Sequence, residues 1–160
     1  MLSISIICVG KLKEKFWRDA CNEYAKRLSS FCKFNIIEAD EYTAPDNASP
    51  AQIQNVIENE GKRIAAKLNK NTAVIAMCIE GRQMPSEKLS QSINDLAVKG
   101  VSSIAFVIGG SWGLAEDIKK RAVLRLSMSE MTFPHQLARV MLCEQIYRAF
   151  QISSGGRYHK

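Results

Sequence analysis

The sequence predicts a three-layer α/β domain built on a mostly parallel sheet. Strand-like and helix-like segments alternate along the whole chain. The central strand candidates, 72–79 and Ser103–Ile108, are apolar without alternation, as in strands covered by helices on both faces. No repeat, low-complexity tract or linker divides residues 1–160, which are therefore expected to form one domain.

In chain order, Ser3–Val9 is rich in isoleucine and valine and reads as a buried strand. Residues 14–28 have helical spacing, with Phe16, Ala20, Cys21, Tyr24, Ala25 and Leu28 on one face. A short strand is expected at 34–38. Residues 39–50 contain two prolines and several turn formers and read as a loop. A helix follows at 51–68, turning Ile53, Val56, Ile57, Ile64 and Leu68 inward. After the strand at 72–79, Ser86 is expected to cap a helix that runs to about residue 99 and stops at Gly100. Strand Ser103–Ile108 leads to a short helix at 115–121 and a strand-like stretch at 124–127. Pro134 opens a final helix to residue 152, apolar around most of its middle. Such a helix must be covered from more than one side.

Composition narrows the class. The chain is 46% hydrophobic and 24% charged, as soluble globular domains are. No apolar run approaches a membrane span, and the N-terminal stretch reads as a strand rather than a leader. Five cysteines, an odd count without CxxC spacing, read as small buried hydrophobes in a reducing, cytoplasmic setting. With only His135 and His159 besides, no zinc site is expected. Residues 1–33 carry seven Lys/Arg against three acids, and residues 134–160 carry four against one. If the two ends meet in space, they make a basic surface of the kind that attracts phosphate backbones. An ordinary solvated surface explains the charges equally well.

Three segments can carry chemistry. Ile108-Gly109-Gly110-Ser111-Trp112-Gly113 follows a buried strand, and its glycines let backbone approach a ligand closely. Alone, it also fits a plain strand-to-helix turn. It lacks the Lys-Ser/Thr of a phosphate-cradling loop. It also comes after about the fourth strand, whereas a dinucleotide-binding fold places its glycines after the first. The second segment runs Leu126-Ser127-Met128-Ser129-Glu130-Met131-Thr132-Phe133-Pro134-His135. Its hydroxyls and apolar side chains suit a ligand with one polar and one apolar edge, or simply an edge strand and helix cap. The third is the last helix with its tail, Gly155-Gly156-Arg157-Tyr158-His159-Lys160. The tail can stack on a base and touch phosphate, or fray as termini do.

Together these segments resemble the ribosomal large-subunit methyltransferase H family of the SPOUT superfamily, whose members carry a trefoil knot. The resemblance spans essentially the whole chain. It includes Val9-Gly10-Lys11-Leu12-Lys13, Ile79-Glu80-Gly81-Arg82 and Phe106-Val107-Ile108-Gly109-Gly110-Ser111. It continues through Met131-Thr132-Phe133-Pro134-His135-Gln136, Glu144-Gln145-Ile146-Tyr147-Arg148-Ala149 and Tyr158-His159-Lys160.

The resemblance implies a deep trefoil knot within about residues 70–160, a homodimer, and transfer of a methyl group from S-adenosylmethionine. The acceptor it implies is N3 of a pseudouridine in large-subunit (23S) rRNA on the assembled ribosome, with no metal and no membrane. The implied cofactor positions are Met77, Gly109, Met128, Ser129, Glu130, Met131, Thr132 and Phe133. Met77 replaces the usual leucine with a side chain of similar volume. The tail has Gly155-Gly156-Arg157 in place of an asparagine-containing form. Tyr158 and His159, with Arg139, are the candidate catalytic residues. Lys11, Lys13, Lys15, Arg18, Arg148, Arg157 and Lys160 are the candidate RNA contacts. The competing readings are a non-catalytic RNA-binding or ribosome-associated factor, which would not bind S-adenosylmethionine, and a flavodoxin-like enzyme, which would carry flavin.

Overall fold

A computed structural model describes residues 1–160. The elements are β1 (Ser3–Val9), α1 (Lys15–Leu28), β2 (Lys33–Ala39), α2 (Pro50–Ala65), β3 (Ala73–Arg82), α3 (Ser86–Val98), β4 (Ser103–Ile108), α4 (Glu116–Arg121), β5 (Leu124–Leu126) and α5 (His135–Ser153). The five strands form one sheet in the order β2-β1-β4-β3-β5. Every neighbouring pair is parallel, so the sheet is wholly rather than mostly parallel.

The unbroken apolar strands behave as a sheet covered on both faces requires. Successive side chains alternate sides. Ile4, Ile6 and Cys8 of β1, Ile75 of β3, and Ile104, Phe106 and Ile108 of β4 pack with residues of α1, α3 and α5. Ile7, Val9, Val74, Ala76, Ala105 and Val107 pack on the other face with Ile64 of α2 and Ile118 of α4. Phe106 is fully buried at the centre of the first face. Phe106→Ala is expected to cost about 3–5 kcal/mol of stability, to be read from the urea midpoint at unchanged slope.

Helix α5 is covered as its composition demands. The sheet lies beneath it, and α1 and α3 flank it. Two serines of α3 tie the pair together: Ser86 Oγ donates to Gln145 Oε1 at 2.6 Å, and Ser90 Oγ to the Ala149 carbonyl at 2.7 Å. Because α1 packs on α5, the two basic ends of the chain do meet.

Local chemistry moves several expected boundaries. Helix α2 begins at Pro50 because Ser49 and Gln52 cap it reciprocally, and it ends at Ala65. Ser86 does not cap α3; Pro85 holds the N-cap position while the Ser86 hydroxyl turns to Gln145. β3 runs on to Arg82 through a register shift that brings Arg82 opposite Leu126. Phe16 stands on the open side of α1, 62% exposed. All five cysteines are free, and only Cys78 is not fully buried. Burial pushes the Cys8 thiol up to about 12 and that of Cys32 to about 11, which leaves both unreactive at neutral pH.

Candidate functional site

In a parallel sheet all carboxyl ends share one edge, and ligands collect there. Here the carboxyl-terminal half of β3 and the segments following β4 and β5 border a cavity of about 410 Å³, within the range of roughly 300–1,000 Å³ for small-molecule sites. These three strands are neighbours. Met77, Ile108 and Leu126 are register partners across them, and all three line the cavity as an apolar floor. This explains why the glycine motif comes late. The ligand edge belongs to β4-β3-β5, whereas Gly10 after β1 lies against Glu41.

The glycine turn forms one wall. Gly113 has φ +97°, and its N–H donates to the Gly110 carbonyl at 3.1 Å, which folds the turn back on itself. The fold is so close that a Cβ on Gly109 would stand 2.7 Å from the Gly113 carbonyl carbon and oxygen. The N–H groups of Ser111 and Trp112 make no main-chain hydrogen bond, leaving two donors on the turn.

The opposite wall is the run after β5. Its start is pinned by the Ser127 N–H donating to the Arg82 carbonyl at 3.0 Å. The Ser127 hydroxyl donates to the Ser129 carbonyl at 3.1 Å, and the Met131 N–H donates to Ser129 Oγ at 3.0 Å. The hydroxyls here shape the loop. Ile79, Trp112 and Met131 stand exposed at the rim. The charged wall residues Glu80 and Lys119 neutralise each other in an ion pair. The hydrogen bond with Lys119 holds the Glu80 carboxyl below its ordinary range and the ammonium above its own.

Of the expected cofactor positions, Met77, Gly109, Met128, Ser129, Met131, Thr132 and Phe133 line this cavity. Glu130 does not; it is exposed. The structure adds Trp112, Lys119 and His135. Trp112 lay within the glycine motif, and His135 at the end of the Ser-Met run. Lys119 had no sequence signal, because only the packing of α4 beside β3 brings it there.

The expected catalytic residues lie elsewhere. None of residues 155–160 lines the cavity. The Tyr158 hydroxyl donates to Glu144 Oε2 at 2.7 Å, and the Arg148 guanidinium lies 4.7 Å from the Tyr158 ring centre. The His159 ring bridges Glu87 at 2.8 Å and Arg148 at 3.2 Å. The Glu144 hydrogen bond raises the Tyr158 phenol and keeps it neutral. Glu144 borders a second cavity of about 300 Å³, and Leu126-Ser127-Met128 lines both cavities as a partition. The tail therefore sits across that partition from the first cavity.

Arg139 is 3% exposed and lines neither cavity. It donates to the Gly10 carbonyl at 3.2 Å and lies 3.6 Å from Glu38, tying α5 to the ends of β1 and β2. Among the expected RNA contacts, Lys11, Lys13, Lys15 and Arg18 are exposed on or beside the β1–α1 loop. Arg18 folds that loop by donating to the Leu12 and Lys13 carbonyls, and Lys15 pairs with Asp19. Arg157 and Lys160 are exposed; Arg148 is engaged with Glu144 and His159. No group of three or more His, Cys, Asp or Glu is placed to hold a metal ion. No helix is long and apolar enough to cross a membrane.

A parallel α/β sheet with a ligand edge on its last three strands matches a known methyltransferase class. Residues 2–159 match the family model described as "Predicted SPOUT methyltransferase". The solved structure titled "The structure of a probable methylase family protein from Haemophilus influenzae Rd KW20" superposes with a TM-score of 0.51 at 10% identity. The match covers 99% of this chain and 70% of that one, and at such identity it speaks for the fold alone. Ribosomal RNA large subunit methyltransferase H of Streptococcus sanguinis is 52% identical, and that of Clostridioides difficile 48%. Each match covers 99% of this chain and all of the relative. The chain belongs to this methyltransferase H family of SPOUT methyltransferases.

Proposed function

We propose that this protein methylates large-subunit rRNA, using S-adenosylmethionine as donor and N3 of a pseudouridine on the assembled ribosome as acceptor. It works as a homodimer in the cytoplasm, and residues from about 70 to 160 thread the deep trefoil knot of its class. The observation that carries this reading is the cavity walled by the glycine turn and the Ser-Met run. It suits the donor in chemistry. The apolar floor of Met77, Ile108 and Leu126 accepts an adenine face. An unpaired turn amide can read its polar edge, and no unpaired lysine or arginine lines the wall to repel a cationic sulfonium.

S-adenosylmethionine supplies an activated methyl group, so the protein needs only to align the acceptor and remove its N3 proton. Tyr158 and His159 position the base. Because the tail lies across the partition from its own subunit's cavity, it serves the cavity of the other subunit. Arg157, Lys160, Lys11 and Lys13 hold phosphate. Removing any one of these four cations is expected to weaken particle binding modestly and to flatten its salt dependence by about one charge.

The test is mass spectrometry of rRNA after incubation of ribosomal particles with protein and labelled donor. Methylated pseudouridine in assembled particles is the expected product. Soluble protein that neither binds the donor nor labels rRNA would favour a non-catalytic ribosome-associated factor.

A further inference from the structure

Behind the glycine turn lies a buried carboxylate with no role in the reaction just described. Glu60 of α2 is 4% exposed. Its Oε2 accepts the Tyr42 N–H at 3.2 Å, while its Oε1 has no partner. A Cβ added to Gly110 would stand 2.5 Å from that free oxygen. The turn's backbone thus lies directly on the Glu60 carboxyl. The next residue, Gly61, makes an equally close approach to Ala115 at the other end of the turn. So α2 backs the whole segment from Gly110 to Ala115. An unpaired buried acceptor costs stability, and this one lies against Gly110, beside Ser111 and Trp112, which are exposed and whose N–H groups donate no main-chain hydrogen bond.

We propose that Glu60 is a positioning residue of the donor site: its free carboxylate oxygen accepts a main-chain N–H of the glycine turn when the donor seats, holding the turn in its binding shape. This rests on the cavity being the S-adenosylmethionine site. The charged groups facing Glu60 are Glu41, on the loop before α2, and Arg63 of α2 itself. The turn from Gly109 to Ala115 contributes none. Burial raises the Glu60 carboxyl above its ordinary range. A bond accepted from the turn favours the ionised form and lowers it again. Donor affinity must therefore fall as pH drops through the raised value.

Glu60→Gln keeps the shape but cannot serve both amides as an acceptor. Its oxygen can take the Tyr42 N–H, and its NH2 then meets the turn as a donor. Calorimetry with S-adenosylmethionine between pH 5 and 8 decides the matter. Expected is about tenfold weaker binding for Glu60→Gln at pH 7.5, from loss of one charge-assisted hydrogen bond. The low-pH fall seen in wild type should disappear, and the thermal midpoint of the free protein should be unchanged or higher. Gly110→Ala, which thrusts a methyl into Glu60, is expected to weaken binding as well. Wild-type-like affinity and pH profile in Glu60→Gln would overturn the role of Glu60 while leaving the donor site intact. A wild-type protein that binds no donor at any pH would overturn both.

Discussion

Gly109→Ala is expected to weaken S-adenosylmethionine binding by roughly ten- to hundredfold, with little change in the thermal midpoint. The added methyl would stand 2.7 Å from the Gly113 carbonyl, and its neighbours there are backbone atoms that cannot rotate away. The turn opens to relieve the clash in the free protein, and closing it again on the donor costs about 1–3 kcal/mol. On the proposed reading that cost falls on donor binding, because the turn is a wall of the cavity while the β4 core residues Ile104 and Phe106 stay packed. Calorimetry with S-adenosylmethionine, beside a melting curve without ligand, separates the two effects. Unchanged affinity would mean that the donor does not touch this turn. Equal losses of affinity and stability would make Gly109 a folding residue only.

The fold was legible because unbroken apolar runs and period-3.6 patterns report burial directly. Ser3–Val9 and Ser103–Ile108 appear as strands at their expected residues, and unbroken apolar runs required helices on both faces. Boundaries moved where a side chain had a choice of partner. The Ser86 hydroxyl could cap its own helix or reach Gln145, and only tertiary packing decides between them. Phe16 misled for a related reason. Its spacing fits the inner face, but it lies in the first turn of α1, where its ring lies tilted against Trp17 with centroids 4.8 Å apart instead of entering the core.

Legibility of the site divides along the same line. The two loops that wall the cavity each carried a local signal, a glycine cluster and a Ser-Met run. Their convergence needed the strand order β4-β3-β5, which local pattern does not encode and only the resemblance supplied. Arg139 entered as a candidate catalytic residue, and a helical arginine is usually exposed. The fold instead buries it against the Gly10 carbonyl. Glu60 was invisible in the sequence, since an acid in an amphipathic helix reads as solvated surface until the turn is seen resting on it.

Deleting residues 155–160 is expected to reduce methyl transfer at least about a hundredfold, as loss of base positioning and proton removal does. S-adenosylmethionine affinity should stay within about twofold of wild type, since no residue of a subunit's own tail lines the cavity and, on the proposed division of labour, the partner's tail holds the acceptor rather than the donor. The tail is anchored through side chains: Tyr158 to Glu144, and His159 to Glu87 and Arg148. These contacts are largely solvent-exposed, so their loss alters stability little. The same anchors give the finer test. Tyr158→Phe removes one hydrogen bond and keeps the ring, whereas His159→Ala removes the imidazole together with its contacts to Glu87 and Arg148. If the tail serves the partner's cavity, an inactive tail-deleted subunit and a Gly109→Ala subunit, assayed at a donor concentration too low to load its own cavity, must complement each other when mixed into heterodimers. One site in such a dimer joins an intact cavity to an intact tail. About half of wild-type activity per heterodimer is then expected. No recovery in verified heterodimers would show instead that each tail swings across the Leu126-Ser127-Met128 partition to its own cavity.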